Sequence, residues 1–396
     1  MPDRRKAFAE GGKGNNMLLI KNGYIKTMAG EDIEKGYLLI GDDGKIAKVG
    51  SGEPNIEADE IIDAEGRIVT PGIVEAHCHI GYGNGTGSGF NEYSDPFTPH
   101  MSVIDAIDPY SDDLATAARA GVTTVCTGPG STNLIGGTFA AIKTVGKRVT
   151  DMIVKYPLAM KCAVGENPCN DFGVKQNRAP RTRMAVAAML REFLHKCKAY
   201  CEAKDNGGSP AYDVKMEAML PVMRGELPLK IHVHASHDIY TVLRITKEFG
   251  LKFTIDHCTD GERVAEDLAE LGCPCFVGPS YGYKTKREVD NRSFGTAGVL
   301  RAAGIPISII TDAGVTPIQY LPMFAGFCVS EGLPMEEGWR AITKYPAEQT
   351  GIGDRVGTLE VGKDGDAVIW TENPLRYIGA HAKTTVILGK VVHNEG

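Results

Sequence analysis

The chain has 396 residues, 43 Lys and Arg against 50 Asp and Glu, and a net charge of −7. That length suits one large domain with a small companion, and the acidic balance gives no electrostatic case for nucleic acid or an anionic membrane as a partner. No apolar run reaches the roughly 18 residues of a membrane-spanning helix.

Residues 1–16, MPDRRKAFAEGGKGNN, carry charge with no apolar run behind it. They read as a disordered leader rather than a secretion signal. Residues 17–70 alternate short apolar runs with turns (MLLIKNG, GYLLIGDDGKIAKVG, IIDAEGRIVT), and the Asn-Gly and Asp-Gly steps predict hairpins. Residues 353–396 have the same character in GTLEVGKDGDAVIW and TTVILGKVVHNEG. The two ends are expected to build one small β-sandwich domain together, because chain termini often lie close in space. The ten cysteines are scattered in apolar surroundings. They read as reduced thiols of a cytoplasmic protein, since a chain this long needs no disulfides for its core. Cys273-Pro-Cys275 and the Cys197–Cys201 pair lack the second pair that a zinc cluster requires.

Between these ends, over residues 71–352, strand-like runs alternate with amphipathic helices. Strands are predicted at 72–79, 122–127, 158–164, 229–235, 252–257, 274–277 and 305–312. Helices are predicted at 111–120, 181–204, 212–224, 237–249, 261–271, 294–303, 318–331 and 335–347. The alternation implies an α/β fold with a mainly parallel sheet, and the length suits a distorted (β/α)8 TIM barrel. Seven strands are visible. The missing eighth is expected between 165 and 229, where two helices follow each other.

Barrel chemistry sits at the C-terminal ends of the strands. The first strand ends in His77 and His79, which are two apart and therefore on one side of the strand. The third ends in Gly165-Glu166-Asn167. The run IHVHASHD supplies His232, His234 and His237, and the later strands end in Asp256-His257 and Thr311-Asp312. Six of the chain's ten histidines fall at these ends or just past them. Imidazoles with carboxylates suit zinc and also admit iron or manganese. A catalytic metal site keeps an open position for water, and Asp312 is the carboxylate placed to take that water's proton.

These motifs resemble the amidohydrolase superfamily, and within it the imidazolonepropionase-like group. The similarity runs over residues 17–396 and rests on IVTPGIVEAHCHIG, IHVHASHD, TIDHCTDG, IITDAGVTP and GTLEVGKDGDAVIW in that order. It implies two divalent metal ions, expected to be zinc. His77, His79 and Asp312 would hold the first, and His234 and His257 the second. A bridging group is implied as well. Glu166, at a strand end, is the preferred candidate, and Lys161 is the alternative as a carboxylated lysine. Asp312 would be the general acid/base.

The implied activity is hydrolysis of a C–N bond other than a peptide bond, with a dipeptidase activity also open. The expected substrate is a small molecule, either a cyclic, imidazolone-like amide or an N-acyl amino acid or dipeptide. A cytosine-deaminase-like reading is weakened by His237, which stands three residues after His234 where that group has a glutamate. His232, Tyr281 and Arg178 are candidate substrate contacts, and the Gly-rich stretch 84–100, with His100, is a candidate lid. Barrels of this kind commonly form homo-oligomers, and the same is expected here. The competing reading is a catalytically silent, amidohydrolase-like scaffold or interaction protein.

Overall fold

The computed structural model describes residues 16–82 and 89–395. The expected leader (bar Asn16) and the first part of the expected lid lie outside the described residues. The chain opens with an antiparallel meander of β1 (Leu18–Ile25), β2 (Ile33–Ile40) and β3 (Ile46–Ser51). Its second turn closes as Asp-Gly chemistry dictates. Asp43 Oδ1 accepts from the Lys45 N–H at 2.9 Å, and Gly44 takes φ +77°. β4 (Glu60–Asp63) and β5 (Ile68–Pro71) both run parallel to β1.

Eight strands then form the barrel sheet in chain order: β6 (Ile73–Cys78), β7 (Val122–Thr127), β8 (Ile135–Lys143), β9 (Ile153–Ala163), β10 (Leu229–Val233), β11 (Phe253–His257), β12 (Cys275–Val277) and β13 (Ile307–Ile309). The last three strands, β14 (Ala367–Trp370), β15 (Ala382–Ile387) and β16 (Lys390–Asn394), return to the first sheet, with β14 antiparallel to β5. Both chain ends thus share a small sheet domain, as expected. Its eight strands form one continuous sheet whose apolar side chains, Leu18, Ile20, Ile40, Val69, Ile369 and Val386 among them, pack together.

Two expectations need correction. The eighth barrel strand is not between 165 and 229, where the helices Arg183–Asp205 and Val214–Met223 do follow each other. It is β8, and it runs antiparallel to both neighbours. Its sequence, IGGTFAAIK, hides it, because glycine and alanine are depleted in strands. Gly137 is required there. It holds φ +117°, and a Cβ on it would stand 2.6 Å from the Met101 carbonyl. The expected helix 335–347 is also two helices, Met335–Arg340 and Lys344–Gln349. Between them, Ala341 and Ile342 leave helical pairing to accept hydrogen bonds from the Ile309 and Val74 N–H groups, at 2.9 and 3.0 Å.

That interruption fills the seam between β13 and β6, which share no ladder. Higher up, the seam is closed by Glu75, a side chain fully buried on β6. Its carboxylate accepts from the His77 N–H (3.1 Å), the Thr311 N–H (2.9 Å) and the Thr311 hydroxyl (2.6 Å). Beyond it, the His79 N–H donates to the Ala313 carbonyl at 2.7 Å. Burial raises Glu75 to about 7 despite these donors. Glu75→Gln leaves an amide N–H2 facing donors, so it is expected to lower the unfolding free energy by about 1–3 kcal/mol, read by urea denaturation.

Candidate metal centre

The upper mouth of the barrel gathers the candidate ligands. The two-residue period of β6 turns His77, and His79 just past its end, inward, and both are buried. His79 Nδ1 lies 2.8 Å from the Gly128 carbonyl, which fixes Nε2 as the outward lone pair, 3.2 Å from Asp312 Oδ1. His77 Nε2 lies 3.5 Å from the same oxygen, while its Nδ1 approaches Asp256 Oδ2 at 2.8 Å. At the end of β11, His257 Nδ1 is held by the Gly278 carbonyl at 2.8 Å. After β10, His234 Nδ1 is held by the Thr259 hydroxyl at 2.8 Å. A partner on the far nitrogen is the arrangement that orients a metal-ligating imidazole.

Two groups of donors result, and they share one residue. His77, His257 and Asp312 bring ligand atoms within 4.8 Å of one another, and so do His232, His234 and His257. His77 Nε2, His257 Nε2, His232 Nδ1 and Asp312 Oδ1 are buried and make no hydrogen bond. Orphaned polar atoms are rare in folded interiors, and three of these four belong to the His77, His257 and Asp312 group, a set that fits a divalent cation. His257 and Asp312 both adopt left-handed backbone, at φ +73° and +53°, a strained conformation that tends to mark functional sites.

Charge is arranged to suit the same ligand. Burial lowers His77 to about 4 and His257 to about 3, and it holds His232 and His234 well below the ordinary imidazole range. All four are therefore neutral, metal-competent imidazoles at physiological pH. Burial works against ionisation of Asp312, but the neighbouring His77, His79 and His257 rings keep its carboxyl well below the usual range. Asp256 is likewise held ionised, against its burial, by Lys230 and His77, with Lys230 Nζ at 3.0 Å.

The bridging candidates part company. Lys161 faces the barrel interior from β9 and is fully buried. Its Nζ makes no hydrogen bond and lies 5.8 Å from the centre of the Phe139 ring. Burial pushes it down to about 8, and its charge is felt by His77, His232 and His257 and by Asp312. Glu166 is elsewhere. Gly165 takes φ +83° and turns the chain, and the Glu166 carboxylate lies 3.6 Å from Arg183 and accepts the Glu288 N–H. It joins neither donor group.

The expected substrate contacts also divide. His232 is among the donors, with Nε2 3.3 Å from the Asn167 amide. Arg178 lies over the Phe172 ring and donates to the Ser94 carbonyl, while Tyr281 is 60% exposed with its ring 6.1 Å from that of Phe324. His100 and His237 are exposed. Sequence reasoning missed the role of Glu75, whose one signal is a lone acid inside an apolar run, and those of Lys230 and Asp256.

The amidohydrolase family model matches residues 68–392. The chain is 29% identical over 370 residues to the amidohydrolase tasK of Hapsidospora irregularis, covering 84% of this chain but only 37% of that longer one. It is 26% identical over 397 residues to the imidazolonepropionase of Maricaulis maris, covering 91% of this chain and 94% of the relative. Among solved structures, an amidohydrolase from Thermotoga maritima superimposes with a TM-score of 0.90 at 33% identity, over 96% of this chain and all of that one.

Proposed function

The chain belongs to the amidohydrolase family, and on that premise we propose that it hydrolyses a C–N bond of a small amide at a centre of two divalent metal ions. The observation that carries this reading is the pair of donor groups joined through His257, with their unpartnered ring nitrogens. His77, His79 and Asp312 would hold one ion, and His257 with His234 or His232 the other, since His257 has only its Nε2 lone pair to give. Zinc is the metal of choice for neutral imidazoles with one carboxylate. Such an ion lowers the pKa of a bound water to about 7 and polarises a carbonyl.

The chain's own residues do the rest. Asp312, ionised at neutral pH, takes a proton at a carboxylate oxygen and passes it to the leaving nitrogen. His79 and His77 face that carboxylate with their Nε2 lone pairs, 3.2 and 3.5 Å away, so the three donors would share one ion. Lys161, rather than Glu166, would supply the bridging group. Its amine, buried without a partner and near 8, has a neutral fraction that adds to carbon dioxide. An N–C bond forms, one C–O electron pair moves to oxygen, and the amine proton leaves to water. The product is a carbamate, which places a carboxylate where the lysine alone offers a cation.

The substrate in this reading is a cyclic, imidazolone-like amide or an N-acyl amino acid or dipeptide. The donor groups speak against a silent scaffold, since nothing in a scaffold stabilises four orphaned polar atoms. The test is turnover of zinc-reconstituted protein on a panel of hydantoins, imidazolones, N-acyl amino acids and dipeptides. Hydrolysis of at least one class is expected, with loss on chelation and return on adding zinc. Turnover that survives complete metal removal contradicts the reading.

A further inference from the structure

We propose that Asp256 is a positioning residue that makes His77 the strongest imidazole donor of the centre, so that the ion held with His77 binds more tightly than its neighbour. This rests on the two-ion reading above and deepens it by ranking the two ions. β11 serves the centre with two successive residues. Its ladder sets Thr254 and Asp256 beside Lys230 and His232 of β10, and His257, at φ +73°, ends the strand. The Asp256 carboxylate is fully buried, and its two oxygens are divided between two tasks. Oδ1 accepts from Lys230 Nζ at 3.0 Å and from the Thr254 hydroxyl at 3.2 Å. Oδ2 is left for His77. It stands 2.8 Å from Nδ1, and neither atom has another hydrogen-bond partner. Two lone pairs do not face each other at that distance in a dry interior, so the Nδ1 proton lies between them. Nε2 is then the lone pair turned to Asp312 Oδ1.

The other candidate ligand rings lean on neutral groups. His79 and His257 face the Gly128 and Gly278 carbonyls, and His234 the Thr259 hydroxyl, each at 2.8 Å. His232 faces the Asn167 amide, with its nearest carboxylate, on Glu288, 3.9 Å away. A full negative charge behind an N–H raises the basicity of the ring more than a carbonyl or hydroxyl dipole does. Lys230 holds the carboxylate in this orientation without touching a ligand, its ammonium lying over the Phe276 ring at 3.8 Å. The ion shared by His77, His79 and Asp312 is therefore the first to bind and the last to leave.

The test reads zinc affinity rather than turnover. Metal-free protein is titrated with zinc against a chromophoric chelator in bicarbonate buffer. Wild type is expected to bind in two steps of unequal affinity, and His257→Ala to lose the weaker one. Asp256→Asn is expected to weaken the tighter step by about 10- to 100-fold, the usual effect of removing such a partner, and to leave the weaker step in place. That variant strands the Lys230 charge. Asp256→Asn combined with Lys230→Met, which replaces both buried charges by neutral side chains of similar size, is therefore measured beside it. The pair should show the same loss, with the melting temperature of the metal-free protein near that of wild type. A purely structural role would instead lower that melting temperature and weaken both steps alike. Equal steps in wild type, loss of the tighter step in His257→Ala, equal weakening of both steps, or an unchanged tighter step in the double variant overturns the proposal. A single zinc per wild-type chain overturns the two-ion reading and the ranking with it. The double variant's affinity for that one ion then keeps or removes Asp256 as the partner of His77.

Discussion

Asp312→Asn is expected to lower kcat by roughly 10³- to 10⁴-fold, toward the upper end of what a positioned general acid/base contributes, while the protein stays folded. The reason is geometric. Oδ1 of Asp312 stands 3.2 Å from His79 Nε2 and 3.5 Å from His77 Nε2, and it has no hydrogen-bond donor of its own. An amide of the same shape keeps an oxygen for those neighbours but cannot accept a proton at neutral pH. The substitution also removes a negative charge that burial makes costly, so the melting temperature should not collapse. Steady-state kinetics and thermal unfolding on one preparation separate the two effects. An Asp312→Asn variant of near wild-type kcat removes this residue from proton transfer.

Lys161→Ala is expected to be as damaging by a different route. A lysine fully buried on a barrel strand pays a desolvation cost that a structural role would offset with an ion pair, as Lys230 does with Asp256 at 3.0 Å. Lys161 has no such pair, and its Nζ makes no hydrogen bond. Removing it should therefore raise stability slightly or leave it unchanged, while turnover falls by at least 10³-fold through loss of the bridging carboxylate. Added acetate or propionate, small enough to enter the space the side chain vacates, should restore part of the activity. A variant that loses stability in proportion to activity points to a packing role for Lys161.

The two bridging candidates also show where a single sequence stops being readable. His77 and His79 were legible because a strand's period of two is a local property. So were the histidines of IHVHASHD and the Asp256-His257 and Thr311-Asp312 steps, since each closes an apolar run. The choice between Lys161 and Glu166 depends on register and on the path beyond the strand. β9 pairs with β10 so that Lys161 lies beside Lys230, both facing inward, whereas Gly165 swings Glu166 toward Arg183, an ion-pair partner 17 residues further on. Neither fact is local. β8 was hidden for a related reason. Its Gly137 answers to the close approach of Met101, and its reversed direction breaks the strand-helix alternation by which the other barrel strands are recognised.

The central claim is a pair of metal ions bridged through Lys161, and elemental analysis tests it most directly. Wild type, Lys161→Ala and Glu166→Gln would be purified alike, reconstituted with zinc in the presence of bicarbonate, and freed of loose ions. The account predicts two ions per chain in wild type and in Glu166→Gln, and a clear loss in Lys161→Ala. Loss in Glu166→Gln with full occupancy in Lys161→Ala would contradict it.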